Sequence, residues 1–113
     1  DANTSLLENM VAIELLRRYG IDDRVFFYNH RVEVDFYIPD ESLAIQVSYN
    51  PHNSEDTWQR ETSALVKFSK VLDCHHLIIL TYETEETIDI DGQEINVIPV
   101  WKWIINDRIF FTA

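Results

Sequence analysis

One short run limits the folds open to this chain more than any other feature: the four consecutive apolar residues Leu77-Ile78-Ile79-Leu80. A strand with one face in solvent alternates apolar and polar residues, whereas this run has no polar position. Continuous runs of this kind are typical of strands in parallel sheets, which other elements cover on both faces. The chain therefore predicts a layered α/β fold with helices on both sides of a sheet.

Two alternating strands precede that run, from Arg31 to Ile38 and from Ser42 to Tyr49, after a β-rich run at Val25–Tyr28. A period of two places every second side chain on the same face of a strand. The predicted apolar faces are Val32, Val34, Phe36 and Ile38 in the first strand, and Leu43, Ile45, Val47 and Tyr49 in the second. The opposite faces carry Arg31, Glu33, Asp35 and Tyr37, and Ser42, Ala44, Gln46 and Ser48.

Two helices bracket these strands. The first is predicted from Ser5 to Gly20, and its apolar face has the 3.6-residue period in Leu7, Met10, Val11 and Leu15. Within it, Ser5 and Glu8 have the spacing of a capping box. The second helix is predicted from about Ser54 to Leu72, with an apolar side formed by Trp58, Leu65, Phe68 and Leu72.

The C-terminal part adds smaller elements. Asp91-Gly92 lies between two alternating runs and favours a type I′ hairpin turn. From Pro99 to Ile105 we expect the end of a last strand and a short helix. The complete order is αβββαβ, then a hairpin and a short helix, which predicts a mixed sheet flanked by helices. At 113 residues this is a single domain.

The charge balance argues against a free-standing nucleic-acid binder. Nine basic residues face twenty acidic ones, for a net charge of −11. Phosphate contacts by Lys and Arg supply most nucleic-acid affinity, so binding is disfavoured, although a metal-dependent nuclease can be locally acidic.

The expected compartment is the cytoplasm. The one cysteine, Cys74, excludes an internal disulfide and lacks the partner ligands that a structural zinc site needs. No apolar run reaches the ~18 residues that span a bilayer, and no signal peptide is visible. The sequence begins with Asp1 and not Met, so we expect an excised piece of a longer protein. The spacing of a P-loop is absent.

Three polar side chains are predicted to converge. Asp35 and Gln46 lie on successive strands, each on the face opposite its strand's apolar set, and Ser48 follows on the same face as Gln46. If the strands pair, the three side chains project near each other. A two-strand metal site has this layout, with carboxylates that hold Mg²⁺ and a lysine that neutralises the phosphate.

The order and spacing of several segments resemble a known family. The segments are Leu6-Leu7-Glu8-Asn9, Glu33-Val34-Asp35-Phe36, Ile45-Gln46-Val47-Ser48-Tyr49, Arg60-Glu61 and Ile98-Pro99-Val100-Trp101-Lys102-Trp103. Over nearly the whole chain they are similar to a domain of unknown function that follows the ATPase core of bacterial and archaeal AAA+ proteins. That domain belongs to the PD-(D/E)XK nuclease superfamily and has its restriction-endonuclease-like fold.

The resemblance implies a degenerate active site. The superfamily's metal ligands correspond to Glu8, Asp35 and Gln46, and its lysine position corresponds to Ser48. Gln46 removes one negative charge and Ser48 supplies no positive charge, and losing one charged catalytic group often costs orders of magnitude in rate. Lys67 and Lys70 could supply the missing cation, but Lys67 falls opposite the apolar side of its helix, which argues against it.

Several of these residues also have purely structural interpretations. Glu8 could be the capping-box partner of Ser5, and Asp35 could be a solvent-facing strand residue. Glu14 falls within an apolar stripe, so it either pairs with an arginine or points into the site in place of Glu8. Glu61 lies near the apolar side of its helix. The tryptophans, Trp101 and Trp103, favour packing over base stacking.

Three functional hypotheses follow. The leading one is an accessory AAA+ domain with a recognition or regulatory role, whose partner is the upstream ATPase domain and which meets ATP only through that domain. The second is an active metal-dependent DNA nuclease using Mg²⁺ at Glu8, Asp35 and Gln46. The third is a protein-interaction module that forms a homodimer, indicated by the aromatic tail residues Phe110 and Phe111.

Overall fold

The computed structural model describes residues 2–22 and 24–112, and the side chains of residues 2–22 and 24–106. Within this part of the chain there are three helices, α1 (Ala2–Tyr19), α2 (Glu55–Val71) and α3 (Val100–Thr112). The strands are β1 (Phe26–Tyr28), β2 (Val34–Ile38), β3 (Leu43–Val47), β4 (His76–Thr81), β5 (Glu86–Ile90) and β6 (Gln93–Pro99).

The strands form one mixed sheet in the order β1-β2-β3-β4-β6-β5. β4 pairs in parallel with both β3 and β6, and the remaining neighbours pair antiparallel. Because β3 and β4 are parallel, the chain must cross over between them, and α2 is that crossover. The predicted fold class is therefore confirmed: an αβββαβ core with a mixed sheet flanked by helices, followed by a hairpin strand pair and a C-terminal helix.

β4 is covered on both faces, as its apolar run predicts. Ile78 and Leu80 pack on one side in a cluster with α1 and α3, while Leu77 and Ile79 pack on the other side with α2. Parallel neighbours satisfy the backbone of β4 on both edges. This strand is thus the centre of the molecule.

The start of α1 differs from the prediction. The helix begins at Ala2, three residues before Ser5, so Ser5 lies inside the helix and the predicted capping box with Glu8 is wrong. Met10, expected on the apolar face, is 51% exposed. The buried face consists of Leu7, Val11, Glu14 and Leu15.

β2 does not keep the single alternation that its sequence predicts. Phe26 pairs with Tyr37 and Tyr28 pairs with Val34, so β2 uses one residue more than β1 between these two pairs. Such a β-bulge turns the following side chains to the opposite face. Val34 consequently packs with α2, whereas Phe36 and Ile38 pack with α1. Placing Val34 with Phe36 and Ile38 is therefore wrong.

Several other local predictions agree with the structure, but two strands are shorter than predicted: β2 begins at Val34 and not at Arg31, and β3 spans Leu43–Val47. Ser54 caps α2, and its hydroxyl accepts a hydrogen bond from the Thr57 amide at 3.3 Å. Asp91 and Gly92 both have positive φ, 53° and 79°, the conformation of a type I′ turn. Trp103 is buried in the core beneath Arg18, whereas Trp101 is exposed. No helix of the described residues has both the length and the apolar character needed to cross a bilayer.

Candidate functional site

The candidate site lies where β2 and β3 cease to pair through their backbones. The ladder joins Ile38 to Leu43, Tyr37 to Ala44 and Phe36 to Ile45. The next opposed pair is Asp35 and Gln46, immediately beside the bulge of β2. At this point side chains take over the hydrogen bonds that a regular ladder would make.

Asp35 and Gln46 connect the two strands by three hydrogen bonds. The Asp35 amide donates to Oε1 of Gln46 at 3.0 Å, and Nε2 of Gln46 donates to the Glu33 carbonyl at 3.0 Å. In return, the Val47 amide donates to Oδ2 of Asp35 at 2.8 Å. We call this arrangement the Asp35–Gln46 clasp. Both ends of the Gln46 amide are therefore engaged with the backbone of β2.

Ser48 continues along the same edge of β3. Its amide donates to the Leu80 carbonyl at 2.9 Å, so its backbone belongs to the parallel pairing with β4. The residue is only 6% exposed. Among the described residues its hydroxyl makes no hydrogen bond, and the residue lines an adjoining cleft.

A cleft of about 830 Å³ opens above these residues. Asp35, Gln46 and Ser48 all line it, which agrees with the predicted convergence of the three side chains. Gln46 and Ser48 are buried, whereas Asp35 is partly exposed. The walls come from the first part of α1, the turn after β3, and one side of α2.

Either Glu8 or Glu14 was predicted to be the residue of α1 that points into the site, and the structure gives them different roles. Glu8 lines the cleft. Glu14 is buried away from it and accepts hydrogen bonds from Nη2 of Arg17 at 2.6 Å and Nε of Arg18 at 2.9 Å. These guanidinium groups lower the pKa of the Glu14 carboxyl. The interpretation of Glu14 as an arginine-paired residue is confirmed.

Glu61 is the residue that sequence reasoning did not assign to the site. It lines the cleft from α2, and its Oε2 atom is buried with no hydrogen-bond partner among the described residues. Burial, together with the negative charges of Asp35 and Glu8, raises the pKa of Glu61 to about 7, although Arg60 acts in the opposite direction. A buried carboxyl without a donor is costly to a fold, so its position needs an explanation.

Asp35 shares this environment. Burial, together with the charges of Glu8 and Glu33, raises the pKa of the Asp35 carboxyl to about 6, although the hydrogen bond from the Val47 amide lowers it. Perturbed carboxyls that gather in one cleft are a common mark of functional sites.

Two cationic residues, Arg60 and Lys67, line the cleft. Both lie on α2, and Lys67 belongs to the cleft wall although it faces away from the apolar side of its helix, so that position does not exclude it. Its helix presents Thr57, Glu61, Ala64 and Lys67 in succession to the cleft, a stripe with helical period beside the apolar face. Lys70, the other lysine considered, is not part of the wall.

The residues present do not fit the Mg²⁺ ion that the resemblance implies. Within the described part of the chain, no group of three His, Cys, Asp or Glu side chains is placed to hold a metal ion. Gln46 directs its amide to the backbone of β2, and its amide oxygen carries no charge to attract the cation. Magnesium demands near-ideal octahedral geometry around its carboxylate ligands, and the described carboxyl groups are not grouped to provide it.

The other candidates lie outside the cleft. Cys74 is buried and its thiol contacts the Ser42 carbonyl oxygen at 3.2 Å. His52 pairs with Glu86 and packs against the Trp58 ring with a centroid distance of 4.3 Å. The side chains of Phe110 and Phe111, on which the homodimer hypothesis was based, lie outside the described residues.

Comparison with known proteins gives one relative to consider. The chain is 40% identical over 107 residues to an uncharacterized protein of Methanocaldococcus jannaschii, a match that covers 87% of this chain and 24% of that protein. The chain thus spans about a quarter of the length of the curated relative it matches. No family model matches the chain, and no solved structure matches it.

Proposed function

We propose that this chain is an accessory domain of a larger protein of the AAA+ ATPase type, with a degenerate nuclease-like fold and a recognition or regulatory role. The length of the archaeal relative, of which the chain covers 24%, supports a place within a longer protein. In this proposal, ATP is bound by an upstream domain and not by the chain itself. The mixed α/β fold supports the structural part of the proposal.

The Asp35–Gln46 clasp is the observation that carries this proposal. At the positions where a hydrolytic site of this type needs free charged groups, one residue is a neutral amide engaged at both ends and the other uses Oδ2 to bind the Val47 amide. Ser48 stands where the resemblance puts the lysine. These side chains hold two diverging strands together, a structural task that fits a domain that binds and does not cut.

A cleavage assay tests the proposal. Plasmid and branched DNA are incubated with the protein over a range of Mg²⁺ and Mn²⁺ concentrations, beside an Asp35→Asn variant and an exposed control, Glu94→Gln. We expect no cleavage by any of them above a protein-free blank. Metal-dependent cleavage that Asp35→Asn abolishes and Glu94→Gln retains would overturn the non-catalytic interpretation.

A second candidate is an active nuclease, favoured by the two cations in the cleft. Lys67 or Arg60 could balance phosphate charge in place of the residue that Ser48 substitutes. The test is the same assay with Lys67→Ala and, as a control outside the cleft, Lys70→Ala. If the nuclease candidate is right, the wild type and Lys70→Ala cleave DNA and Lys67→Ala does not.

A third candidate is a homodimer, favoured by the exposed side of α1. Leu6, Met10, Ile13 and Leu16 are each more than half exposed and lie within about 120° of one another around the helix. A stripe of this kind can pack against its own copy across a two-fold axis. Light scattering of the wild type and of Ile13→Lys tests it: the dimer requires a doubled mass that the substitution returns to that of the monomer.

A further inference from the structure

The cleft contains hydrogen-bond acceptors that the protein leaves unused. Oε2 of Glu61 is buried without a donor, and the hydroxyl of Ser48, in a residue only 6% exposed, makes no hydrogen bond among the described residues. They come from separate elements, α2 and the end of β3, yet line the same space. A ligand that completes this site must therefore bring hydrogen-bond donors.

The charges of the wall favour a cationic donor. Four carboxyl groups line the cleft, those of Glu8, Glu33, Asp35 and Glu61, against the two cations Arg60 and Lys67. The carboxyl groups are not placed as a metal-binding group of three. A larger cation with several N–H groups can contact acceptors that come from separate elements of the cleft wall. Guanidinium has this shape, with five donors in a planar fork that suits carboxylates.

We infer that the cleft binds an arginine side chain from a basic segment of a protein partner, with Glu61 as the principal carboxylate and Ser48 as an additional acceptor. The inference rests on the proposed recognition role, because it makes the cleft a binding site for protein. The net charge of −11 matches a basic partner and disfavours a polyanion. Amide side chains at the rim, Asn50 and Asn53, are available to the backbone of such a segment.

The binding test uses a matched pair of small probes. Acetyl-arginine amide and acetyl-citrulline amide have nearly the same shape, but only the first carries the positive charge. We titrate each into the protein and follow the backbone amides of Val47 and Ser48 by ¹H–¹⁵N NMR. The arginine probe should shift these amides in a saturable way and bind roughly tenfold or more tightly than the citrulline probe. Equal binding of the two probes, or no saturable shift with either, would overturn the inference.

Two variants test the assigned contacts. Glu61→Gln keeps the shape of the side chain and should weaken the arginine probe by roughly tenfold or more, since a charged acceptor is lost. Ser48→Ala should weaken it by a few-fold. Glu94→Gln, outside the cleft, should bind as the wild type does. If Glu61→Gln keeps full affinity while circular dichroism reports a folded protein, the assignment of Glu61 is wrong.

Two further arms separate this inference from its alternatives. Free arginine that binds much more tightly than the blocked amide would indicate a small metabolite and overturn the protein partner. The other arm repeats the DNA cleavage assay with Mg²⁺ and no arginine probe. Metal-dependent DNA cleavage would refute the proposed function. If there is no cleavage and the arginine probe does not bind, the inference is refuted and the proposed function stands.

Discussion

Oε1 of Gln46 lies 3.0 Å from the amide nitrogen of Asp35, so a side chain of β3 accepts the hydrogen bond that a backbone carbonyl of β3 would accept in a regular ladder. The substitution of a side chain for the ladder occurs beside the bulge that turns Val34 to the other face of the sheet. Beside the bulge the backbone pairing of β2 with β3 ends, and the polar side chains on the cleft floor replace it. The stability of this region should depend on Gln46 more than on a typical polar residue.

Replacement of Gln46 by Leu should destabilise the domain by roughly 2–4 kcal/mol, because the Asp35 amide and the Glu33 carbonyl each lose a partner. Urea denaturation of both proteins measures the difference. Gln59→Leu, on the exposed side of α2, is the control and should change the free energy of unfolding by less than about 0.5 kcal/mol. A cost for Gln46→Leu as small as that of the control would mean that the clasp contributes nothing.

Because the pKa of Glu61 is raised, we expect the free energy of unfolding to decrease as pH rises. The pKa of this carboxyl is raised from 4.5 to about 7 in the folded protein, so the folded state holds the proton more tightly than the unfolded state. The free energy of unfolding should therefore fall between about pH 4.5 and pH 7 on account of this group. Glu61→Gln removes this dependence and should stabilise the protein by roughly 1–3 kcal/mol at pH 8. Denaturation curves at pH 5 and pH 8 give the comparison, and an equal effect at both values would contradict it.

Glu14 should show the opposite dependence. Hydrogen bonds from Arg17 and Arg18 lower its pKa, so its contribution to stability is present above the ordinary carboxyl pKa and is lost as the pH falls through the lowered value. Glu14→Gln should destabilise the protein at pH 7 by roughly 1–3 kcal/mol, since the charge-assisted hydrogen bonds from Arg17 and Arg18 are weakened. The same substitution should have a smaller effect near pH 3. Thermal unfolding followed at both pH values is the measurement.

Ile79 tests the central position of β4. The side chain is fully buried on the α2 side of the sheet, so Ile79→Ala should cost roughly 2–5 kcal/mol. Ile13→Ala removes the same atoms from a side chain that is 67% exposed and should be nearly neutral. Calorimetry of the two variants beside the wild type distinguishes them, and similar melting temperatures for both would be inconsistent with the described core.

The sequence was most informative where the pattern of side chains is set by long-range burial. The run at Leu77–Leu80 predicted a strand covered on both faces, and the parity of Asp35, Gln46 and Ser48 predicted their convergence. The bulge in β2 could not be read in this way, because one extra residue in a strand leaves no mark on composition. The predicted single alternation therefore misplaced Val34.

The role of α2 in the cleft was missed for a different reason. The prediction considered only whether Lys67 lies on the apolar side of its helix. The side of a helix next to its apolar face can also line a cleft beyond the end of a strand. The signal was present as the helical spacing of Thr57, Glu61, Ala64 and Lys67. It became interpretable only when the end of β3 was known to lie beside that flank.

The double coverage of β4 has a consequence for how the domain opens. Its two parallel neighbours, β3 and β6, lie before and after it in the chain, and helices shield it from above and below. No local fluctuation can free its amide protons without separating both halves of the sheet. Hydrogen exchange at Ile78, Ile79 and Leu80 should therefore report the unfolding of the whole domain.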